Sequence, residues 1–428
     1  MDNQITSTVL SNGLKILLKE IHTSPIISHW VWYRVGSRYE SKGKTGISHW
    51  VEHMQFKGTP SFPAGILDRA ISRDGGVWNA FTHLDWTTFF ETMPADKIDL
   101  SIGLEADRMV NSVYDPDEVA SERTVIISER EGSENDPLFK LEEAMQLAAF
   151  KTHPYRNEVI GSIEDLRAIQ RDDLYHHYQT NYNPANAVVA VAGDFVTSEM
   201  IEKLHKHYDP IPGKNVPMIS DLREPPPNEE QRIEVSGPGE TTYLELTWRA
   251  PAASEEDFFI ISVLDSLFTG PSGLNMFGGG GVTNKTSRLY RALVEKEIAV
   301  SVNGSLQATI DPYLYGITIT VRPDSTPEKV LQALDNEIDR LVNTPVSQTE
   351  IDRAIKQARA MFVYGSENIT NQAFWMGYSE MFESYPWFLN YVTNLEKVTP
   401  EALLNKAREY LSPKRRVVGI YHPEELPS

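Results

Sequence analysis

The two halves of this sequence follow the same order of predicted elements: a strand, a helix, a turn and a second helix. In the first half, the strand-like segment 86–93 precedes a helix with a periodic apolar face, and the next helix begins near Asp117. In the second half, segment 315–321 has the strand pattern and the second helix begins near Thr349, an offset of about 230 residues. Because a periodic apolar face must pack against another element, the repeat predicts two α+β domains of related topology.

A polar, proline-rich segment separates the two halves. Residues 221–230 include three consecutive prolines, Pro225 to Pro227, which favour an extended conformation over helix or sheet. A chain of 428 residues is also too long for a single core. We therefore predict a first domain at 1–220, a linker at 221–230 and a second domain at 231–428.

Composition argues against several classes of function. The chain has 60 acidic and 40 basic residues, so it has no basic excess with which to bind nucleic acid. It contains no cysteine, so a metal would have to be held by His, Asp or Glu. No apolar run approaches the roughly 20 residues that span a bilayer. The first residues lack the pattern of a leader, and we expect a periplasmic location if a leader has been removed, with a cytoplasmic location as the alternative.

One short segment has the spacing of a metal-binding helix. His49 and His53 are four residues apart, so a helix places both imidazoles on one face, about one turn apart. Glu52 lies beside His53 and could reach a water molecule at the same metal. This H-x-x-E-H order is the reverse of the common zinc-protease motif. An ordinary helix can carry the same residues, so the motif alone leaves that alternative open.

A third ligand has to come from elsewhere in the chain. In the predicted helix 115–129, Glu122 and Glu129 are seven residues apart, and we predict Val125 and Ile126 between them on the same face. Carboxylates on a core-facing stripe are costly unless a cation or strong donors receive them. A metal would satisfy this requirement, and so would pairing with arginine or a place at the edge of the stripe.

The internal repeat provides a comparison within the same sequence. When the two copies are aligned, Ala354 stands opposite Glu122 and Met361 stands opposite Glu129. The second half also lacks an H-x-x-E-H motif. The sequence therefore predicts one metal site per chain, in the first domain.

Seven segments, spread over essentially the whole chain, share one resemblance. They are residues 32–40, 49–60, 75–82, 122–129, 153–155, 182–186 and 286–290. In these segments the sequence resembles the pitrilysin/insulysin family of inverted-motif zinc peptidases, and within it the branch of mitochondrial processing peptidase and its bacterial relatives. The resemblance implies that each domain is a mainly antiparallel sheet packed with helices.

The resemblance also implies a role for each candidate residue of the metal site. His49, His53 and Glu129 would bind one Zn²⁺ per chain. Glu52 would be the general base that acts on a zinc-bound water, and Glu122 would assist as a second catalytic carboxylate.

The same resemblance implies a peptide substrate and a way to bind it. Family members add the peptide as an extra strand beside an edge strand of the first domain. In this sequence the matching residues are Asn79, Ala80, Phe81 and Thr82.

The second half departs from the family pattern at two positions. Family members carry an Arg and a Tyr that bind substrate and the transition-state oxygen, whereas Val294 and Val300 stand in their places here, with one residue missing between them. Losing such a donor costs roughly 100- to 1000-fold in rate. We therefore expect a heterodimer with a homologous subunit that carries the Arg/Tyr pair. The alternative is a non-catalytic subunit that binds peptide or serves as a scaffold, although the complete metal set favours the enzyme.

Overall fold

The computed structural model of the chain describes residues 4–216, 222–274 and 283–424. By packing, these residues form two compact units. The described parts of the first unit are 4–130, 157–216 and 367–388. Those of the second are 131–156, 222–274, 283–366 and 389–424. Two segments, 131–156 and 367–388, thus each belong to the unit built mostly from the other half of the chain.

The described residues form eleven strands. In chain order they are β1 Thr6–Val9, β2 Lys15–Glu20, β3 Ile26–Tyr33, β4 Val77–Thr82, β5 Thr87–Pro94, β6 Ala187–Gly193, β7 Gln231–Pro238, β8 Tyr243–Arg249, β9 Ala299–Leu306, β10 Leu314–Val321 and β11 Arg416–Glu424.

Fourteen α-helices accompany these strands in the described part of the chain. They are α1 Ile47–Met54, α2 Ile66–Arg73, α3 Ile98–Asn111, α4 Pro116–Ser133, α5 Pro137–Ala149, α6 Ile163–Ala168, α7 Arg171–Asn181, α8 Thr197–Tyr208, α9 Glu256–Phe268, α10 Pro327–Asn343, α11 Gln348–Tyr364, α12 Ile369–Phe382, α13 Tyr385–Leu395 and α14 Pro400–Tyr410. No described helix is both long and apolar enough to span a bilayer.

The two sheets have matching strand orders. The first sheet runs β1-β2-β6-β3-β5-β4, and the second runs β7-β11-β8-β10-β9. Apart from the additional β1, each strand of the first sheet has a counterpart in the second at the same place in both sheet order and chain order. Each sheet has one parallel pair among its described strands, β2 with β6 and β7 with β11, and the remaining pairs are antiparallel. The predicted α+β class, related topology and mainly antiparallel sheets are confirmed.

Strand β3 is an inner strand of the first sheet, and its side chains are buried on both faces of the sheet. On one face, the Trp30 and Trp32 rings contact Phe374 of α12. Gly377 of the same helix lies so close to Trp32 that a Cβ there would collide with the indole. On the other face, Val31 belongs to the hydrophobic core that also buries the inner side of α1. The sheet thus fixes the position of the helix that carries the H-x-x-E-H motif.

Within the second unit, the predicted apolar face of α10 is confirmed, since Val330, Leu334, Ile338 and Leu341 are buried. Residues 222–230 form neither helix nor strand, and β7 follows directly. Asp221, the first residue of the predicted linker, lies outside the described residues. The contiguous domain boundaries at 1–220 and 231–428 stay a prediction.

Candidate metal centre

Helix α1 is held at its N-terminus by a carboxylate from the preceding loop. The side chain of Glu40 accepts hydrogen bonds from the backbone N–H of Gly46 at 2.8 Å and of Ser48 at 2.9 Å. These amides would otherwise lack partners at a helix start. Burial raises the pKa of Glu40 to about 8, although the two hydrogen bonds lower it. Gly46 has a φ of 86°, and a Cβ there would collide with the carbonyl group of Ile160. The loop therefore fixes where the motif begins.

The inner side of α1 is apolar and buried. Trp50, Val51 and Met54 enter the core of the first unit, whereas His49 and His53 remain partly exposed. Because the two histidines are one turn apart, their imidazoles lie side by side, with Nε2 atoms 3.2 Å apart. The predicted placement of both rings on one helical face is confirmed.

Glu129 of α4 completes a group of three potential ligands. Its Oε2 atom lies 3.6 Å from His53 Nε2 and 4.0 Å from His49 Nε2. Ligands at the usual zinc distances in a tetrahedral site are about 3.3 Å apart, so these three atoms are close to the spacing that zinc requires. Two imidazole nitrogens and one carboxylate oxygen are also a typical donor set for a catalytic zinc. The residues present fit the metal.

The two imidazoles differ in their electrostatic surroundings. Burial, together with the adjacent His53, lowers the pKa of His49 to about 3, so this ring is neutral and able to act as a ligand. Burial alone would lower the pKa of His53, but its hydrogen bond to Glu122 and the charges of Glu52, Glu122 and Glu129 raise it. Positive charge is therefore stabilised at the His53 ring.

Glu122 orients His53. Its Oε1 atom lies 2.8 Å from His53 Nδ1, on the side of the ring opposite to Nε2. A donor at Nδ1 leaves the Nε2 lone pair free to bind a metal. Lys57, one turn beyond His53, forms an ion pair with the other oxygen of Glu122. Glu122 thus accepts from the predicted ligand His53 and is itself held by a cation.

Glu52 is buried beside this group and has a defined hydrogen-bond partner. The Thr82 hydroxyl donates to Glu52 Oε2 at 2.6 Å. Burial raises the pKa of Glu52 to about 7, although the Thr82 hydrogen bond and the His53 charge lower it. A carboxyl group whose pKa is close to neutrality can both take up and release a proton at neutral pH.

Strand β4, which contains the four predicted substrate-binding residues, forms an edge of the first sheet. It pairs with β5, with Ala80 opposite Phe89 and Thr82 opposite Thr87. The backbone N–H of Ala80 donates to the side-chain oxygen of its neighbour Asn79, at 2.9 Å. That N–H therefore does not serve the β5 ladder. Because Thr82 contacts Glu52, the end of this edge strand lies beside the H-x-x-E-H helix.

Helix α4 differs from the predicted arrangement at one residue. Glu122 and Ile126 are buried as expected, but Val125 is 48% exposed, so the prediction that it shares the core-facing side was wrong. Glu129 is about half exposed and lies at the edge of the buried face. A helix has 3.6 residues per turn, so a residue three positions after Glu122 is rotated away from the core contact that Ile126 makes.

The corresponding helix of the second unit, α11, shows the repeat without the carboxylates. Ala354 and Met361, the counterparts of Glu122 and Glu129, are both buried. The same helical face thus packs as an ordinary apolar surface when it carries no acidic residue.

Three contributors to the site were not predicted from the sequence: Glu40 as a helix cap, Lys57 as the partner of Glu122, and Thr82 as the partner of Glu52. Glu40 and Lys57 lie inside two of the segments that carry the family resemblance, and this position was the one indication in the sequence that they belong to the site. Thr82 was predicted only as part of the substrate-binding strand.

Val294 and Val300 lie in the second unit. Val294 ends a short π-helical turn, Tyr290–Val294, and Val300 is on the edge strand β9, where it is 57% exposed. Between them, Glu297 has a φ of 55°, in the left-handed region that favours glycine. Neither valine side chain has a hydrogen-bond donor for an oxyanion.

Taken together, the two related sheets and the histidine–carboxylate group define a two-unit α+β protein with a candidate metal site in its first unit. Two family models match the sequence: "Insulinase (Peptidase family M16)" over residues 15–162 and "Peptidase M16 inactive domain" over residues 168–358. The chain belongs to peptidase family M16.

Individual relatives agree with this assignment. The zinc protease PqqE of Helicobacter pylori is 28% identical over 86% of this chain and 81% of its own length. A probable mitochondrial-processing peptidase subunit beta of Arabidopsis thaliana is 24% identical over 82% of this chain and 66% of its own length. The crystal structure of a protease from Helicobacter pylori aligns with a TM-score of 0.89 and 25% identity, over 98% of this chain and 99% of the other.

Proposed function

We propose that this chain is a zinc-dependent metalloendopeptidase subunit that hydrolyses unstructured peptides. The observation that carries the proposal is the convergence of His49, His53 and Glu129 beside the buried Glu52. When bound at the first three residues, zinc would act as a Lewis acid that polarises a peptide carbonyl and lowers the pKa of water to about 7.

The remaining residues supply proton transfer and orientation. Glu52 takes a proton at its carboxylate and returns it to the leaving amine, a role that suits a pKa of about 7. Thr82 keeps the Glu52 carboxylate in one orientation through its hydroxyl. Glu122 fixes the His53 ring through Nδ1. Each contact restricts a group that must be correctly placed before reaction.

The substrate would bind as an additional strand on β4. The edge position of β4 and the outward hydrogen bond of the Ala80 N–H support this mode of binding. An incoming peptide carbonyl would replace the Asn79 side-chain oxygen as the acceptor for Ala80. A folded protein cannot present such a strand, so we propose that extended peptides are the substrate class.

We further propose that a second, homologous subunit completes the site with the Arg/Tyr pair. The hydrophobic side chains of Val294 and Val300 support this. The length of one structural neighbour supports it too. This chain aligns with only 48% of the periplasmic protease PqqL of Escherichia coli, at 17% identity and a TM-score of 0.80. We also propose a periplasmic location, as in the name of that neighbour.

A non-catalytic role is the second candidate, favoured by the valines and by the name "inactive domain". That name, however, applies to residues 168–358, whereas the candidate metal centre lies within the other matched segment, 15–162. Metal analysis of single variants tests the proposed ligand set, and the activity of Glu52→Gln separates the two candidates. His49→Ala, His53→Ala and Glu129→Ala should each lose the one zinc that the unaltered chain holds. If Glu129→Ala remains fully loaded, the proposed ligand set is wrong.

The partner requirement has its own test. The isolated chain should bind zinc yet hydrolyse peptide slowly, and addition of a homologous subunit with Arg and Tyr should raise the rate without changing the zinc content. A Tyr→Phe change in that partner should abolish the gain. A monomeric, partner-free chain that already works at the rate of the mixture would contradict the split site.

A further inference from the structure

The second unit contains a cavity of about 300 Å³ whose lining includes none of the residues of the candidate metal centre. One wall is the proline-rich segment, through Arg223, Glu224, Pro225 and Pro226. Arg249, at the end of β8, also lines the cavity. This volume is at the lower end of the range for small-molecule sites. Several prolines give the cavity rigid, apolar walls.

The proline-rich wall is anchored. The Glu224 carboxylate accepts hydrogen bonds from the backbone N–H groups of Lys151, Thr152 and His153 at 2.6 to 2.9 Å. Burial alone would raise the pKa of Glu224, but these hydrogen bonds lower it to about 2. This segment is therefore a fixed wall of the cavity, and the Glu224 charge is already compensated.

Arg249 is a buried cation that forms no direct ion pair with a described carboxylate. Its side chain is largely buried, stacks on the Phe150 ring at 3.7 Å from the centroid, and donates to the Ala149 carbonyl oxygen at 2.9 Å. Within the described part of the chain, no carboxylate lies within 4.0 Å of its guanidinium, and its Nε–H has no acceptor. Burial lowers the pKa of Arg249 to about 10, although the nearby charge of Glu224 raises it. A buried charge without a directly paired counter-charge is costly.

A second arginine that lines the cavity also forms no ion pair with a described carboxylate. Arg415 is exposed, lines the same space, and likewise has no carboxylate within 4.0 Å among the residues that the structure describes. Two unpaired guanidinium groups in one cavity are unexpected in a chain with 60 acidic and 40 basic residues, where acidic partners are abundant.

The other carboxylates that line the cavity do not supply the missing charge. Glu409 forms an ion pair with Lys406 at 2.8 Å. Burial and the adjacent Asp257 raise the pKa of Glu255, whereas the charges of Arg223 and Lys406 lower it. Neither side chain lies within ion-pair distance of Arg249 or Arg415.

We propose that this cavity binds a small organic carboxylate that has an apolar substituent. The carboxylate would lie between the Arg249 and Arg415 guanidinium groups, and the substituent would pack on Pro225 and Pro226. Planar guanidinium groups bind carboxylates through paired, charge-assisted hydrogen bonds. This proposal does not depend on the metal centre, and it holds even if the chain is not a peptidase.

Isothermal titration of the full chain with three probes tests the proposal. N-acetylleucine carries the carboxylate and an apolar side chain, N-acetylleucine amide has the same shape without the charge, and inorganic phosphate is an anion without the apolar part. We expect N-acetylleucine to bind at least about 10-fold more tightly than either of the others, because hydrogen bonds to a charged group contribute that much. Equal binding of the amide, or tighter binding of phosphate, would overturn the proposal.

Arginine variants locate the binding site. Arg415→Gln should weaken N-acetylleucine binding about 10-fold and leave the melting temperature unchanged, since this side chain is exposed. Arg249→Gln should weaken binding at least as much, and Arg415→Gln keeps the test valid if Arg249→Gln fails to fold. The matched control is Arg322→Gln, which removes a partly exposed arginine of the same unit and should bind like the unaltered chain. Binding that survives the Arg415 and Arg249 changes would place the probe elsewhere, for instance at the metal centre, and would overturn the proposal.

Discussion

Removing the charge of Glu122 should weaken zinc binding although Glu122 is not a proposed ligand. Its carboxylate is mostly buried and lies 2.8 Å from His53 Nδ1, and Lys57 forms an ion pair with it. Burial would raise the pKa of Glu122, but the contacts with His53 and Lys57 lower it, so the group is ionised at neutral pH. The His53–Glu122 hydrogen bond is therefore of the charge-assisted type.

The size of the effect follows from that bond. Hydrogen bonds to charged groups contribute about 1.5–3 kcal/mol, roughly twice the contribution of neutral ones. Glu122→Gln keeps an acceptor but loses the charge, so about 1–1.5 kcal/mol, or about 10-fold in zinc affinity, should be lost. Glu122→Ala also frees the ring and should lose up to about 100-fold, the upper range for groups that orient a metal ligand.

Competition with a chromogenic chelator measures these affinities directly. The matched control is Glu118→Gln, which removes an exposed carboxylate one turn earlier on the same helix, 3.6 Å from the same Lys57. It should change zinc affinity by less than about 2-fold. If Glu122→Gln binds zinc as tightly as the unaltered chain, or if Glu118→Gln loses as much, the argument that Glu122 acts through His53 is refuted.

Three further predictions concern other parts of the chain. Ala80→Pro removes the outward N–H donor of β4 and should weaken peptide binding about 10-fold or more while zinc content stays constant; unchanged binding would argue against strand addition. Burial and the neighbouring Glu142 raise the pKa of Glu245 to about 8, so the folded state holds a proton that the unfolded state loses near pH 4.5. The free energy of unfolding should therefore fall by a few kcal/mol between about pH 5 and pH 8, and Glu245→Gln should flatten this slope in urea titrations at the two pH values. Glu297 has a left-handed backbone, so Glu297→Gly should raise the free energy of unfolding by about 0.5–1 kcal/mol, whereas a decrease would show that the conformation carries no strain.

The repeated pattern of elements was sufficient to predict the class and the relationship of the two sheets, because periodic apolar residues determine which face of an element is buried. Pairing of His49 with His53 was equally predictable, since four residues make about one helical turn. Membership of α5 and α12 in the unit of the other half could not be predicted. Their apolar faces show that they pack but not which sheet they pack on.

Contacts between residues distant in sequence were the other source of missed features. The Glu40 cap depends on a loop that folds back onto the start of α1, and the Lys57–Glu122 ion pair joins two different helices. Neither contact can be predicted from a local sequence pattern. The misplacement of Val125 has a simpler cause: two adjacent residues of a helix differ by about 100° in direction, so Val125 and Ile126 cannot both face the core equally.

Zinc content and peptide hydrolysis, measured on the unaltered chain and on Glu52→Gln, each mixed with the same homologous subunit that carries Arg and Tyr, test the central claim most directly. Glutamine preserves the shape of the side chain and its contact with Thr82 but cannot take up a proton. The proposed role predicts equal zinc content, about one per chain, and a loss of at least about 100-fold in the rate of hydrolysis of an unstructured peptide. A Glu52→Gln chain that keeps its zinc and hydrolyses the peptide at the original rate would contradict the assignment of Glu52 as the general base, and with it the proposed mechanism.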